Sequence, residues 1–225
     1  MDGRRPAGYY LRPRTRGGQT ALFEEEFVPL DTVNGIRDKV AAWREGDRYA
    51  GVSAITRHLL THWRNPERER KLFFCQIEAI ETLIWLAEAP QADKQGLNLP
   101  KDESLIRCAC KMATGSGKTV VMGMVIAWQV LNKLANPQDR RFSDAVLMLC
   151  PNLTIRERLQ VLYPWQKRNY YEKFGLLPGG MLERLQRGRF FITNWHLFSP
   201  KDDSRRRGVV QRGPESNGAF CNRVL

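Results

Sequence analysis

From Asp31 to Arg64 apolar residues recur at helical spacing in two series. Val33, Ile36, Val40 and Trp43 mark one side of a first helix, and Val52, Ile55, Leu59 and Trp63 one side of a second. Gly46 and Gly51 bracket the break between them, and the polar sides are expected to face solvent. Asn65-Pro66 followed by Glu67 and Glu69 reads as the start of a third helix, with a cap residue, a first-position proline and acids in the first turn. On it Phe73, Ile77, Ile80, Ile84 and Ala87 form a stripe, flanked by Leu72, Ala79, Leu83 and Leu86. An apolar side that wide belongs to a helix pressed against a sheet. Residues 90–104 are polar, hold Pro90, Gly96 and Pro100, and read as a loop.

Downstream the period changes. Leu105–Cys110 is an apolar run that reads as a strand, Met112–Thr119 a glycine-bearing turn, and Val121, Met124, Val125, Trp128 and Leu131 the buried side of a helix. That helix begins at Lys118 and stops before Pro137. Ala145–Cys150, a continuous apolar run ended by Pro151-Asn152, reads as a strand buried on both faces. A helix over Leu153–Leu162 and a short strand over Arg189–Thr193 follow. Strands alternating with helices predict an α/β fold. Its parallel sheet would have right-handed crossovers and ligands at the strands' C-terminal ends.

Composition changes the picture in one respect. Apolar and charged contents of 42% and 27% are ordinary for a globular chain of 225 residues, but a net charge of +12 is not. Such a surplus favours a polyanionic partner, nucleic acid being the commonest. Residues 1–20 carry five arginines with Tyr9-Tyr10 and no period, which predicts an extended or disordered arm. Arg205, Arg206 and Arg207 form a second basic segment. No run reaches the ~18 apolar residues needed to span a bilayer, and nothing resembles a secretory leader. The odd count and irregular spacing of Cys75, Cys108, Cys110, Cys150 and Cys221 predict buried reduced thiols in a cytoplasmic protein, without a disulfide or metal framework. His58 and His62 lie one helical turn apart but lack the glutamate of a zinc-protease helix.

The candidate chemistry sits at Met112-Ala-Thr-Gly-Ser-Gly-Lys-Thr119. Strand, glycine turn and helix are the context in which such a sequence cradles phosphates. Gly115 and Gly117 can take backbone angles closed to other residues, so that N–H groups and the helix start face an anion. Lys118 would reach the β- and γ-phosphates of ATP, and the Thr119 hydroxyl would ligate Mg²⁺. A strand-helix turn with an incidental lysine is the plain alternative.

Together the motifs resemble those of superfamily 2 helicases, and particularly the helicase-bearing subunit of type III restriction enzymes. Phe73-Phe-Cys-Gln-Ile-Glu-Ala-Ile80 resembles the upstream adenine-reading element. There the residue matching Gln76 bonds adenine and an aromatic such as Phe74 stacks on it. Ala113–Thr119 resembles motif I, with Thr114, Gly115, Ser116 and Gly117 around the phosphates and Lys118 and Thr119 in catalytic roles. Leu149-Cys-Pro-Asn-Leu-Thr-Ile-Arg156 resembles motif Ia, and Ile192-Thr-Asn-Trp-His196 the next strand-end motif. In such motors both touch the nucleic-acid backbone, which implicates Pro151, Asn152, Thr154, Arg156, Thr193 and Asn194. Met112 stands where the general phosphate-loop pattern has glycine, a departure the helicase form shares.

The resemblance implies an incomplete RecA-like domain over 66–200, preceded by a basic arm (1–23) and a small helical segment (24–65), and followed by a basic loop (201–225). No apolar run after the glycine turn ends in the paired acids that hold Mg²⁺ and orient water in such motors. Asp144 precedes its strand, and Asp202-Asp203 follows Pro-Lys. The chain therefore reads as the N-terminal part of a longer protein, catalytically incomplete by itself. DNA, further motor and nuclease regions, and a methyltransferase or specificity subunit are the implied partners. A non-hydrolysing ATP or nucleic-acid binding module and a small-molecule phosphate-loop kinase are the competing readings. The basic charge and the Pro-Asn strand end stand against the kinase.

Overall fold

The computed structural model describes residues 5–11, 25–46, 48–99 and 107–197. In chain order its elements are β1 (Gly8–Leu11), β2 (Glu26–Pro29), α1 (Asp31–Glu45), α2 (Ala54–Arg64), α3 (Phe74–Glu88), α4 (Lys118–Ala135), β3 (Ala145–Cys150), α5 (Leu153–Leu159), α6 (Tyr170–Lys173), α7 (Met181–Leu185) and β4 (Arg189–Asn194). The protein is a mixed α/β structure whose small parallel sheet pairs β3 with β4. It divides into two compact units, 1–52 with 81–109 and 53–80 with 110–225, and α3 runs through both.

In the first unit β1 and β2 pair antiparallel, Gly8 opposite Pro29 and Leu11 opposite Glu26. Part of the basic arm is thus a paired strand; residues 1–4 and 12–24 lie outside the described residues. Asn34 holds its start: Ala7 N–H donates to Asn34 Oδ1 at 2.7 Å, and Asn34 Nδ2 to Ala7 O at 3.0 Å. Of the expected apolar side of α1, Val40 and Trp43 are buried, Ile36 is half-buried and Val33 is 40% exposed. The polar side of α1 departs from expectation. Arg44 reaches the fully buried Glu81 of α3 through Nε at 2.9 Å and Nη2 at 2.6 Å, while Tyr49 Oη donates to the other carboxylate oxygen at 2.6 Å. A buried carboxylate is tolerated only with such partners. The break after α1 is bracketed by Gly46 and Gly51, as expected. Gly46 is right-handed, and Arg48 and Tyr49 take φ of 43° and 65° before Gly51 at 83°. Trp43 secures this turn by donating Nε1–H to Ala50 O and packing edge-on against Tyr49.

In the second unit Ser53 caps α2 by accepting the Thr56 N–H at 3.0 Å. Its hydroxyl also bonds Asn132 Oδ1, and Asn132 Nδ2 reaches Thr56 Oγ1 at 2.9 Å and Trp128 O at 2.7 Å, tying α2 to α4 by a buried polar cluster. The expected helix start at Asn65 is not observed; α3 begins at Phe74. Asn65 Oδ1 accepts the Glu67 N–H in a local turn instead, and Gln76 Oε1 accepts the Phe73 N–H. Side-chain oxygens thereby supply partners that a continuing helix would have supplied from its backbone. Gly123 lets α4 approach Leu162, Tyr171 and Leu176; a Cβ there would lie 3.0 Å from Leu176 Cδ1. Burial raises the Tyr171 phenol above its ordinary pKa, and its hydroxyl donates to Leu162 O at 3.0 Å. β3 is not buried on both faces: Met148 and Cys150 are covered, whereas Leu149 is 51% exposed. The helix expected over 153–162 is α5 followed by a 3₁₀ turn.

Candidate phosphate cradle and strand-end surface

α4 opens at the glycine turn. Gly115 and Gly117 have φ of 79° and 80°, the left-handed region open to glycine. The N–H groups of Gly115, Gly117, Lys118 and Thr119 have no backbone acceptor among the described residues, and space around Gly115 is open. Lys118 folds back, its Nζ donating to Ala113 O at 2.8 Å, and Ser116 Oγ bonds the same carbonyl at 2.7 Å. The result is an open turn of donors with a lysine held by a neutral carbonyl acceptor. An anion would displace that acceptor readily, because charged hydrogen bonds are the stronger.

Gln76 fixes the cradle from α3. It is buried rather than surface-lying, and Nε2 donates to Ser116 O at 3.0 Å. A Cβ on Gly117 would collide with that same Nε2. Gln76 thus joins the upstream element to the glycine turn, a link invisible to spacing alone. Phe73 and Phe74 are 60% and 42% exposed and offer aromatic faces beside it. The strand expected before the turn is not formed among the described residues. Arg107–Cys110 makes no ladder, Cys108 and Cys110 are exposed rather than buried, and Leu105 and Ile106 lie outside the description.

The β3–β4 register brings the two strand-end motifs side by side, Leu149 opposite Thr193 and Cys150 opposite Asn194. Asn152 caps α5 by accepting the Ile155 N–H at 2.9 Å. Pro151 and Thr154 are exposed, as is Arg158; Arg156 is half-buried. Burial pushes the Cys150 thiol pKa up, and the positive charge of Arg156 partly opposes it. Thr193 is buried, and Asn194 Oδ1 is enclosed without a hydrogen-bond partner among the described residues. Neither acid at the start of the sheet serves this rim. Asp139 is bonded by Arg141, which lowers its pKa, and Asp144 lies 3.4 Å from Arg189. Asp202 and Asp203 lie outside the described residues, and no cluster of three metal-ligating residues occurs among those described.

A glycine turn opening a long helix, in a unit that also holds a parallel strand pair, marks a mixed α/β protein. The family described as type III restriction enzyme, res subunit, matches residues 69–202, more than half of the 225-residue chain, and the chain belongs to that family. The matched region is a superfamily 2 helicase-like domain, and the family is one of ATP-dependent restriction subunits. No curated protein and no solved structure matches the chain. No helix among the described residues is long and apolar enough to cross a membrane.

Proposed function

We propose that the chain is the nucleotide-binding part of a DNA-dependent motor, with Mg-ATP held at Ala113–Thr119 and the DNA backbone followed by the ends of β3 and β4. The observation that carries this reading is the cradle: main-chain N–H groups without a backbone acceptor among the described residues at two left-handed glycines, Lys118 within reach, and Gln76 bracing the turn. These residues fit a polyphosphate. Thr114, Gly115, Ser116 and Gly117 surround it, Lys118 neutralises its terminal charge, and Thr119 offers a hydroxyl to Mg²⁺. Phe74 stacks on the base and Gln76 keeps one N–H for it, since an amide has two. When bound, Mg-ATP supplies the phosphoanhydride whose hydrolysis drives movement.

The orientation of α4 supports a shared rim. Gln129 Oε1 accepts the Ser143 N–H at 3.1 Å, and a Cβ at Gly188 would lie 2.7 Å from Val130 Cγ1. Both ties join the later half of α4 to residues just before β3 and β4. Its first turn, with Lys118, then lies toward the strands' C-terminal ends, where α/β sheets bind ligands. There Pro151, Asn152, Thr154, Arg156, Thr193 and Asn194 contact phosphates rather than bases. The region is read as part of a RecA-like domain in a cytoplasmic assembly. Hydrogen exchange tests the cradle: Mg-ATP should slow the amides of residues 115–119, and unchanged exchange at saturating nucleotide would refute it.

A further inference from the structure

A cluster of cations lies in the same unit, where residues 65–73 leave the helical path. Arg68 is held there by main-chain carbonyls alone, Nη2 donating to Phe174 O at 2.8 Å and Nη1 to His62 O at 3.4 Å. Arg70 Nη1 donates to Lys173 O at 2.6 Å. These bonds lie at a cleft of about 840 Å³ that Lys167, Arg168 and Lys173 also line. Two acids, Glu69 and Glu172, also line it. Glu172 is engaged by Asn169 Nδ2, and none of the five cations is in an ion pair among the described residues. Neutral carbonyls fix the two guanidiniums in place without cancelling their charge. Partial burial of Arg68 lowers its pKa, so the charge is poorly solvated there and an anion would offset that cost.

We infer that this cleft binds the phosphodiester backbone of a nucleic acid strand, as a contact separate from the strand-end motifs. Five cations against two acids are too many for a single phosphate and suit a run of charges. Lys173 Nζ sits 5.6 Å from the Tyr170 ring centroid and 5.5 Å from that of Phe174, so the neighbouring rings meet a cation. Recognition there is therefore electrostatic and independent of sequence. The choice of nucleic acid rests on the motor reading above; the geometry of the cleft does not.

The test is fluorescence anisotropy of a labelled DNA duplex titrated with the 225-residue chain at several salt concentrations. Lys167 and Arg168 are exposed, so the double variant Lys167→Gln/Arg168→Gln should fold, as thermal unfolding will check. It should bind about tenfold more weakly at ~0.1 M salt, with a log–log salt slope shallower by ~1.8 for two lost phosphate contacts. Arg156→Gln reports separately on the strand ends. Unchanged affinity and slope in the folded double variant, with Arg156→Gln weakened, would overturn the cleft assignment and leave the motor reading standing. Absence of DNA binding by the unaltered chain would overturn both.

Discussion

The turn at Ala113–Thr119 offers an anion main-chain N–H groups and one lysine, whereas the cleft between Arg68–Arg70 and Lys167–Lys173 offers side-chain cations. The first depends on φ at two glycines and on one buried glutamine, so small geometric changes should destroy it. The second depends on the sum of several charges on flexible stems, so it should tolerate single changes and respond to salt. A short-range site suits a ligand of fixed shape, and a diffuse one suits a polymer that must slide.

The largest effect expected from this contrast is at Gly117. Alanine there meets both a left-handed φ and Gln76 Nε2, and should lower Mg-ATP affinity by at least ~10²-fold, about 2.7 kcal/mol. At Gly115, with the same φ but open space, alanine should lose only about 1–2 kcal/mol from backbone strain. Calorimetric titration of the two variants compares them directly, and equal losses would break the argument that Gln76 positions the turn. Raising salt from ~50 to ~200 mM should weaken DNA binding by roughly 10²-fold for about four phosphate contacts, and Mg-ATP binding far less. Similar salt slopes for both ligands would erase the distinction.

Smaller effects sharpen it. Gln76→Ala leaves the Phe73 N–H and Ser116 O without their partner, so unfolding free energy should fall by about 1–3 kcal/mol and nucleotide affinity by about tenfold. Denaturant melts and titrations of the same preparation measure both. At the cleft, burial holds His62 below its ordinary pKa of about 6.5. Its bond to Gly175 O works the other way, while Arg68 and His58 add repulsion. The folded protein therefore disfavours imidazolium, and stability present above pH ~6.5 declines as pH falls toward the lowered folded value. Because the ring is only partly buried, His62→Gln should flatten this acid decline by no more than a few tenths of a kcal/mol after solvent screening.

Features carried by neighbouring residues were legible in the sequence. α4 spans Lys118–Ala135 and β3 Ala145–Cys150 as periodicity and apolar runs predict, and β4 extends its expected range by one residue to Asn194. The glycine turn could be read because its chemistry lies within eight consecutive positions. Long-range polar partners were not legible. Asn-Pro-Glu is locally a helix start, yet Arg68 and Arg70 bond carbonyls more than 100 positions away, and Asn65 turns the chain so that they can. Arg44 carries no local sign that Glu81 awaits it. Gln76 stood out by resemblance, but its bond to Ser116 O required the fold.

Nucleotide binding at this turn depends most directly on Lys118, whose ammonium lies 2.8 Å from Ala113 O. Calorimetric titration of Mg-ATP into the unaltered chain and into Lys118→Ala, each checked for matching thermal unfolding, isolates its contribution. Saturable binding by the unaltered chain, weakened by at least ~10²-fold (about 2.7 kcal/mol) in the variant, is the predicted result. Equal affinity in two equally folded proteins would contradict the assignment of this turn as the nucleotide site.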